Sequence, residues 1–275
     1  MQVPIIQVDA FAAAPFEGNP AAVMPLPDWP ADTVLQQVAE ENNLSETAFV
    51  VADLPTGVTA PDPQHPAYHL RWFTPAIEVD LCGHATLATA SYLFEDAHPQ
   101  AQLVQFHTRS GWLIVRRDPG GGYTMDFPSE PPVPTQIDPV VAAALGAPVR
   151  EALEATDLVY VLADAETVRT LTPDHTVLAG LPVRGVIVTA PGADTGYDFV
   201  SRYFGARAGV SEDPVTGSAH SQIASYWATR LGRTTLVARQ LSTRGGTVHA
   251  LVTGNRTLLT GTCTRFLTGT ATIPD

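Results

Sequence analysis

Arg71-Trp72-Phe73, then Val79, Cys82 and Gly83-His84-Ala85, form a series that the chain writes twice. At an offset of 131 positions, Arg71-Trp72-Phe73 falls on Arg202-Tyr203-Phe204, Val79 on Val210 and Cys82 on Asp213. After a three-residue insertion, Gly83-His84-Ala85 falls on Gly217-Ser218-Ala219, and Ser91-Tyr92 on Ser225-Tyr226. Each copy reads as a strand, an extended loop, a turn of small residues and a helix. Order and spacing both match. A period near half the chain predicts two similarly folded domains rather than a solenoid. Pro128 to Pro139 is the most linker-like stretch. It sets the expected domains at 1–125 and 126–275, with the last strand, near 265–275, packing back onto the first.

Outward from the repeat, the flanking segments have clear periods. Gln2 to Ala10 alternates and is rich in valine and isoleucine, which predicts a strand. Trp29 to Asn42 carries Val34, Leu35, Val38 and Ala39 on one helical face, with Asp28 as the expected N-cap. Thr47 to Val51 and Tyr68 to Phe73 predict strands, and Gly83 to Phe94 predicts an alanine-rich helix. Leu103–His107 and Trp112–Arg116 predict a hairpin turning at Ser110-Gly111. In the second half, strands are expected near Leu158–Leu162, Gly185–Thr189 and Phe199–Phe204, followed by a helix from Gly217 to Leu231.

The bulk properties narrow the function. Hydrophobic residues make up 45% of the 275 positions and charged residues 16%, as in a globular protein. The formal net charge is −13, which works against binding a nucleic-acid backbone. No apolar run approaches the roughly 18–20 residues of a membrane span. Cys82 and Cys263 form no CxxC pair. Met1 to Phe11 lacks the pattern of a secretory signal, so a reducing cytoplasm is the expected location. No dinucleotide or phosphate-loop motif is present, and no cofactor is expected. No metal is expected either: His65 and His69 have helical spacing, but Pro61, Pro63 and Pro66 work against a helix there.

The candidate chemistry lies at the two helix starts. A helix N-terminus offers unpaired N–H groups and a partial positive charge, and a glycine there lets a ligand approach the backbone. Gly83-His84 and Gly217-Ser218 therefore make candidate seats for a carboxylate in an acidic protein without an arginine clamp. Asp213, Thr216 and Ser218 gather at one start and His84 at the other. Glu46 stands where a helix and loop enter an apolar strand. Burial there, with a second carboxylate such as Asp213 nearby, is expected to raise a carboxyl pKa and make it a proton carrier. Taken singly, each residue has a plainer reading: Asp213-Pro214 as a turn or cap, His84 as a helix-start residue, Glu46 as a solvated strand edge, Cys82 as a small buried hydrophobe.

In combination these residues resemble the PhzF-like family, within the diaminopimelate-epimerase-like fold. The matching segments are Val8-Asp9-Ala10-Phe11 with Gly18-Asn19-Pro20, and Asn43-Leu44-Ser45-Glu46-Thr47-Ala48-Phe49. Arg71-Trp72-Phe73-Thr74-Pro75, Cys82-Gly83-His84-Ala85-Thr86 and Glu212-Asp213-Pro214-Val215-Thr216-Gly217-Ser218-Ala219-His220 complete the set. The resemblance implies an α/β (α+β) fold of two pseudo-symmetric domains. Each is a strongly curved, mostly antiparallel sheet around a central helix, with one active site in the cleft between them. It implies a homodimer and a cofactor-independent isomerase acting by proton transfer on a small carboxylate, of the kind that converts a dihydro-hydroxyanthranilate. Glu46, His84 and Asp213 map onto the catalytic positions. Asn19, Gly83, Thr216, Gly217 and Ser218 map onto substrate-binding positions.

Two other functions stay open at this stage. Epimerase cousins of the family use two cysteines, one at each helix start. Here Cys82 fills the first place and Asp213 the second. A racemase would then pair Cys82 with a carboxylate. A protein that binds small acids without turnover is the third reading.

Overall fold

Residues 1–205 and 210–274 are described by the structure, a computed structural model. They fall into two units, Met1–Asp126 with Thr260–Asp275, and Phe127–Leu259. The first unit contains β1 (Gln2–Ala10), β2 (Asn19–Leu26), α1 (Asp32–Asn42), β3 (Glu46–Val51), β4 (Ala67–Phe73), β5 (Glu78–Val79), α2 (Gly83–Tyr92), β6 (Leu103–Thr108) and β7 (Gly111–Arg117). The chain leaves it along β8 (Tyr123–Pro128). The second unit contains β9 (Val133–Thr135), α3 (Pro139–Leu145), β10 (Glu151–Glu154), β11 (Leu158–Val161), α4 (Ala165–Thr170), α5 (His175–Ala179) and β12 (Val186–Pro191). It continues through β13 (Phe199–Gly205), β14 (Val210–Asp213), α6 (Gly217–Leu231), β15 (Thr235–Gln240) and β16 (Gly246–Thr253). The chain returns along β17 (Arg256–Gly261), and β18 (Cys263–Thr272) pairs antiparallel with β1.

The two units share one topology. In the first, β2 lies parallel to β3, β3 antiparallel to β4, β4 antiparallel to β5 and parallel to β6, and β6 antiparallel to β7. In the second, β11, β12, β13, β14, β15 and β16 repeat those relations in the same order. A helix follows the fourth strand of each set, α2 after β5 and α6 after β14. Residues 84–91 of α2 are buried on every side, as a helix at the centre of a curved sheet must be. On α6, Ala219 to Ala224 and Trp227 are buried likewise, and Trp227 stacks on Phe199. The outer sheet faces carry separate cores. Leu35 and Ala39 of α1 pack on Met24, Phe49 and Phe73, each fully buried apolar side chain contributing about 1.5–3 kcal/mol. Residues of α3, α4 and α5 pack on Tyr160, Val188 and Phe204.

Strand register refines the repeat read from sequence. Thr47 lies opposite Phe73 and Val186 opposite Phe204, so Glu46 and Gly185 hold equivalent places. Trp72 lies opposite Val79 and Tyr203 opposite Asp213. Asp213 therefore matches Val79, and the helix-capping Thr216 matches Cys82. The three-residue insertion falls between Phe204 and Asp213, before the aspartate rather than after it.

Three local expectations also change. Asp28 does not cap α1. Its Oδ1 accepts a hydrogen bond from Trp29 N, and the helix begins after Pro30, whose ring disfavours helical backbone at Trp29. The proline-rich stretch is not a bare linker. Val133–Thr135 pairs with β10, and Asp138 caps α3 with Pro139 in its first turn. The helix from Gly83 ends at Tyr92 and passes into a π-turn, Leu93–Ala97.

Candidate active site

The parallel pairing of β2 and β3 brings their first residues to the same end of the sheet, with Ala21 opposite Glu46. Gly18 turns the chain into β2 with φ 70°, and a Cβ there would lie 2.3 Å from the Ala10 carbonyl oxygen. That close turn sets Asn19, which is fully buried, at the sheet end. The start of α2 meets the same end. Glu46 Oε2 lies 3.1 Å from His84 Nε2, Asn19 Nδ2 lies 3.1 Å from His84 Nδ1, and Cys82 Sγ lies 3.5 Å from the same Nδ1. The structure thus brings together Asn19, Glu46, Cys82, Gly83 and His84.

Charge in this cluster is uneven. Burial opposes a charged His84, but the fields of Cys82 and Glu46 outweigh it and hold the ring well above the ordinary histidine pKa. Burial, then the Glu46 carboxylate, pushes the Cys82 thiol up to about 11. A thiol so placed is uncharged at neutral pH. Asn19 accommodates either state of the ring. Its Nδ2 donates to a neutral Nδ1, and a half-turn of the amide lets Oδ1 accept from a charged one. The field of Glu46 favours the charged form. Glu46 Oε2 and His84 Nε2 are close, yet both are buried without an aligned hydrogen bond. The pair is a charge contact with directional capacity left over for a third group.

Glu46, Cys82 and His84 present ligand atoms within 4.8 Å of one another. The thiol approaches Nδ1 and the carboxylate approaches Nε2. The two contacts use opposite nitrogens of one ring, and the raised thiol pKa opposes a metal-binding thiolate.

The start of α6 is built differently. Thr216 N donates to Gln240 Oε1 at 2.9 Å, and Gln240 Nε2 donates to the Asp213 carbonyl at 2.6 Å. Thr216 Oγ1 donates to the Asp213 carboxylate, and Ser242 Oγ donates to the Pro214 carbonyl. The segment Asp213–Ser218 is thereby fixed. Glu212 is held by Arg202 through two hydrogen bonds and does not join it. His220 Nδ1 donates to the Thr216 carbonyl at 2.8 Å, which leaves Nε2 to accept from Ser201 Oγ. Burial lowers the His220 pKa to about 4, so it is neutral. Neither α2 nor α6 has a side chain capping its first turn, whereas Asp138, Asp164 and Asp174 cap the three short helices. Helix α1 also lacks a cap, but it starts at the exposed surface. The buried starts of α2 and α6 are therefore suited to an anion. A surface groove lies at the far end of α6, beside Pro132 and Tyr226, where Arg230 is already paired with Glu151.

Sequence reading passed over Gln240. Its signal was a polar residue at an inward position of a strand whose other inward residues are Leu236 and Ala238.

The model of the PhzC-PhzF family, phenazine biosynthesis-like proteins, matches residues 8–272. An uncharacterized isomerase of Pseudomonas aeruginosa is 48% identical over 270 residues, covering 98% of this chain and 99% of that protein. A crystal structure of a PhzF-family phenazine biosynthesis protein from Enterococcus faecalis superposes with a TM-score of 0.90 at 45% identity, covering 99% of this chain and 100% of that one. A hydroxyproline epimerase from Agrobacterium vitis shares the fold alone, with a TM-score of 0.59 at 12% identity, covering 98% of this chain and 92% of that one.

Proposed function

Since the chain belongs to the phenazine biosynthesis-like, PhzC-PhzF family, we propose that it is a cofactor-independent isomerase that moves a proton within a small carboxylate-bearing substrate. Glu46 takes the proton from one carbon of the substrate and returns it to another, so no electrons are gained or lost. His84, held cationic, keeps Glu46 ionised before the transfer and stabilises the oxygen on which charge develops. Asn19 fixes the ring of His84, and the open N–H groups at Gly83 receive a substrate oxygen. Asp213, Thr216, Gly217 and Ser218, at the start of α6, are the further candidates for binding substrate oxygens, with Asp213 as a candidate second acid.

The observation that carries this reading is the Glu46–His84 contact, 3.1 Å long, buried, and with neither atom in an aligned hydrogen bond. A purely structural ion pair would satisfy both atoms. The racemase reading is weaker on two counts. The place equivalent to Cys82 holds Thr216, and burial pushes the Cys263 thiol far up, while Cys82 itself stands at about 11.

The test is proton NMR in heavy water with trans-2,3-dihydro-3-hydroxyanthranilate, comparing the wild type with Glu46→Gln. Conversion with deuterium uptake or internal transfer is expected for the wild type alone. Near-wild-type turnover by Glu46→Gln would overturn the role of Glu46. No conversion by either protein would remove this substrate and direct the search to other small cyclic or amino acids.

A further inference from the structure

Like Glu46 Oε2 and His84 Nε2, Trp72 Nε1 is a buried polar atom of the first unit without a hydrogen-bond partner. Trp72 is only 1% exposed. An interior N–H with no acceptor is rare in native proteins and calls for an account.

Register places this donor with the proton-transfer pair. Trp72 lies opposite Ala48 across β3 and β4. Glu46 is two residues from Ala48 and therefore on the same face. The opposite face, with Phe49 and Phe73, is the one packed under α1. The Glu46 face is turned toward α2, which touches β3 and whose start supplies His84.

The second unit shows how far this side chain reaches. Tyr203 holds the place of Trp72, and Gly185 that of Glu46. A Cβ built on Gly185 would lie 2.3 Å from the Tyr203 hydroxyl oxygen. The tip of the side chain at this strand position thus comes to the residue at the Glu46 place. In the second unit the tip is anchored, because the Tyr203 hydroxyl donates to Asp157 at 3.3 Å. In the first unit the indole N–H has no such anchor.

We propose that the Trp72 indole N–H donates a hydrogen bond to the substrate in the Glu46–His84 site. It is a substrate-selecting residue, and the inference rests on the proton-transfer reading above. An indole N–H is donor-only and does not ionise in the working range. It therefore favours an acceptor at that point of the ligand, a carboxylate or carbonyl oxygen, and rejects an ammonium. It divides the labour with Glu46, which must itself stay free to take the proton.

The chain has four tryptophans, so four indole N–H signals are expected in a nitrogen–proton correlation spectrum. Trp29 Nε1 donates to His69 and Trp227 Nε1 to Thr189, which gives internal references. The probe is 3-hydroxyanthranilate, the aromatic counterpart of the dihydro acid. Titration is expected to move the Trp72 indole proton downfield. Trp72→Phe should bind the probe roughly two- to tenfold more weakly, the scale of one lost hydrogen bond. If Trp72→Phe folds poorly, benzothienylalanine at position 72 keeps the shape and lacks only the N–H, and the same loss is expected. Binding that shifts the Glu46 and His84 signals but leaves the Trp72 indole unmoved overturns the inference. So does wild-type affinity in the benzothienyl variant. In either case an inactive Glu46→Gln leaves the proton-transfer reading intact. A probe that does not bind at all removes the aromatic-carboxylate class and this inference together.

Discussion

His84 and His220 ride on topologically equivalent helices and are shifted in opposite directions. His84 stands at the second residue of α2, beside Glu46, with its pKa raised above the ordinary value. His220 stands at the fourth residue of α6, where Thr86 is its counterpart on α2. Thr86 Oγ1 donates to the Cys82 carbonyl just as His220 Nδ1 donates to the Thr216 carbonyl. Both nitrogens of His220 are engaged, and burial keeps it neutral. The same division runs through the neighbourhood. Where the first unit has Glu46, the second has Gly185, with the Tyr203 hydroxyl in the vacated space. Where the first unit leaves carboxylate and imidazole atoms unaligned, the second closes Asp213, Thr216 and Gln240 into hydrogen bonds. A duplicated architecture has been spent asymmetrically. One copy holds ionisable groups close together in the interior, and the other holds a hydrogen-bonded polar turn.

The largest effect that could break this comparison is on turnover. Glu46→Gln removes the proposed base but keeps the shape, so activity should fall by about 10²–10⁴. The fold should hold, with stability lowered only by the share that the Glu46 field contributes through His84. Asp213→Asn should lower activity too. Thermal unfolding and steady-state rates measured on both variants check this. Equal losses of stability and activity in Glu46→Gln would make the pair a structural feature and erase the contrast.

Next in size is the pH dependence of stability. For His220 the folded pKa, about 4, lies below the ordinary value of 6.5. The unfolded chain then binds the extra proton first. Stability is lost as pH falls from about 6.5 to about 4, by roughly 3 kcal/mol in all. For His84 the folded pKa is raised, so its contribution is full below the ordinary value and is lost as pH rises through the folded one. Denaturant titrations of His220→Gln should show a flatter acid limb, and those of His84→Gln a flatter alkaline limb. An unchanged acid limb in His220→Gln would sink the assignment of a buried neutral ring.

Smaller again is the effect of opening the second turn. Gln240→Leu keeps volume but removes the acceptor of Thr216 N and one donor to the Asp213 carbonyl. It should cost about 1–3 kcal/mol and, with the turn in its proposed binding role, raise KM more than it lowers kcat. A loss confined to stability would leave the Asp213–Ser218 turn without a part in binding.

How much of this was legible beforehand follows from which contacts are local. The start and end of α6 at Gly217 and Leu231 could be read, because a glycine opens the helix and Gly232, left-handed at φ 67°, closes it. The repeat could be read because both copies keep arginine and phenylalanine on one strand face. Arg71 lies over Phe73 and pairs with Glu78; Arg202 lies over Phe204 and pairs with Glu212. The place of Asp213 could not be read, because counting along the chain does not reveal where a hairpin absorbs three residues. Only the pairing of Tyr203 with Asp213 does. Gln240 and Trp72 were equally silent. Each meets the site through a strand partner or a packed face rather than through its neighbours in sequence.

The smallest expected effect separates the two halves of the epimerase analogy. Cys82 lies at the capping position of α2, 6% exposed, with its thiol pKa near 11. At pH 7 a thiol of that pKa is ionised in about one molecule in ten thousand, too little for a resting base. Its contact with His84 Nδ1, at 3.5 Å, is a weak sulfur hydrogen bond shared with Asn19. Cys82→Ser preserves a small polar side chain there, and turnover should change by less than about tenfold, the scale of one weak hydrogen bond. A racemase drawing on Cys82 would instead lose turnover on the general-base scale, and alkylation of the thiol would abolish what remained. Rates of Cys82→Ser and Glu46→Gln measured side by side on one substrate decide between them. A larger loss in the cysteine variant would transfer the proton-carrying role from the carboxylate to the thiol, and the first helix start would then resemble its epimerase cousins more than its own repeat.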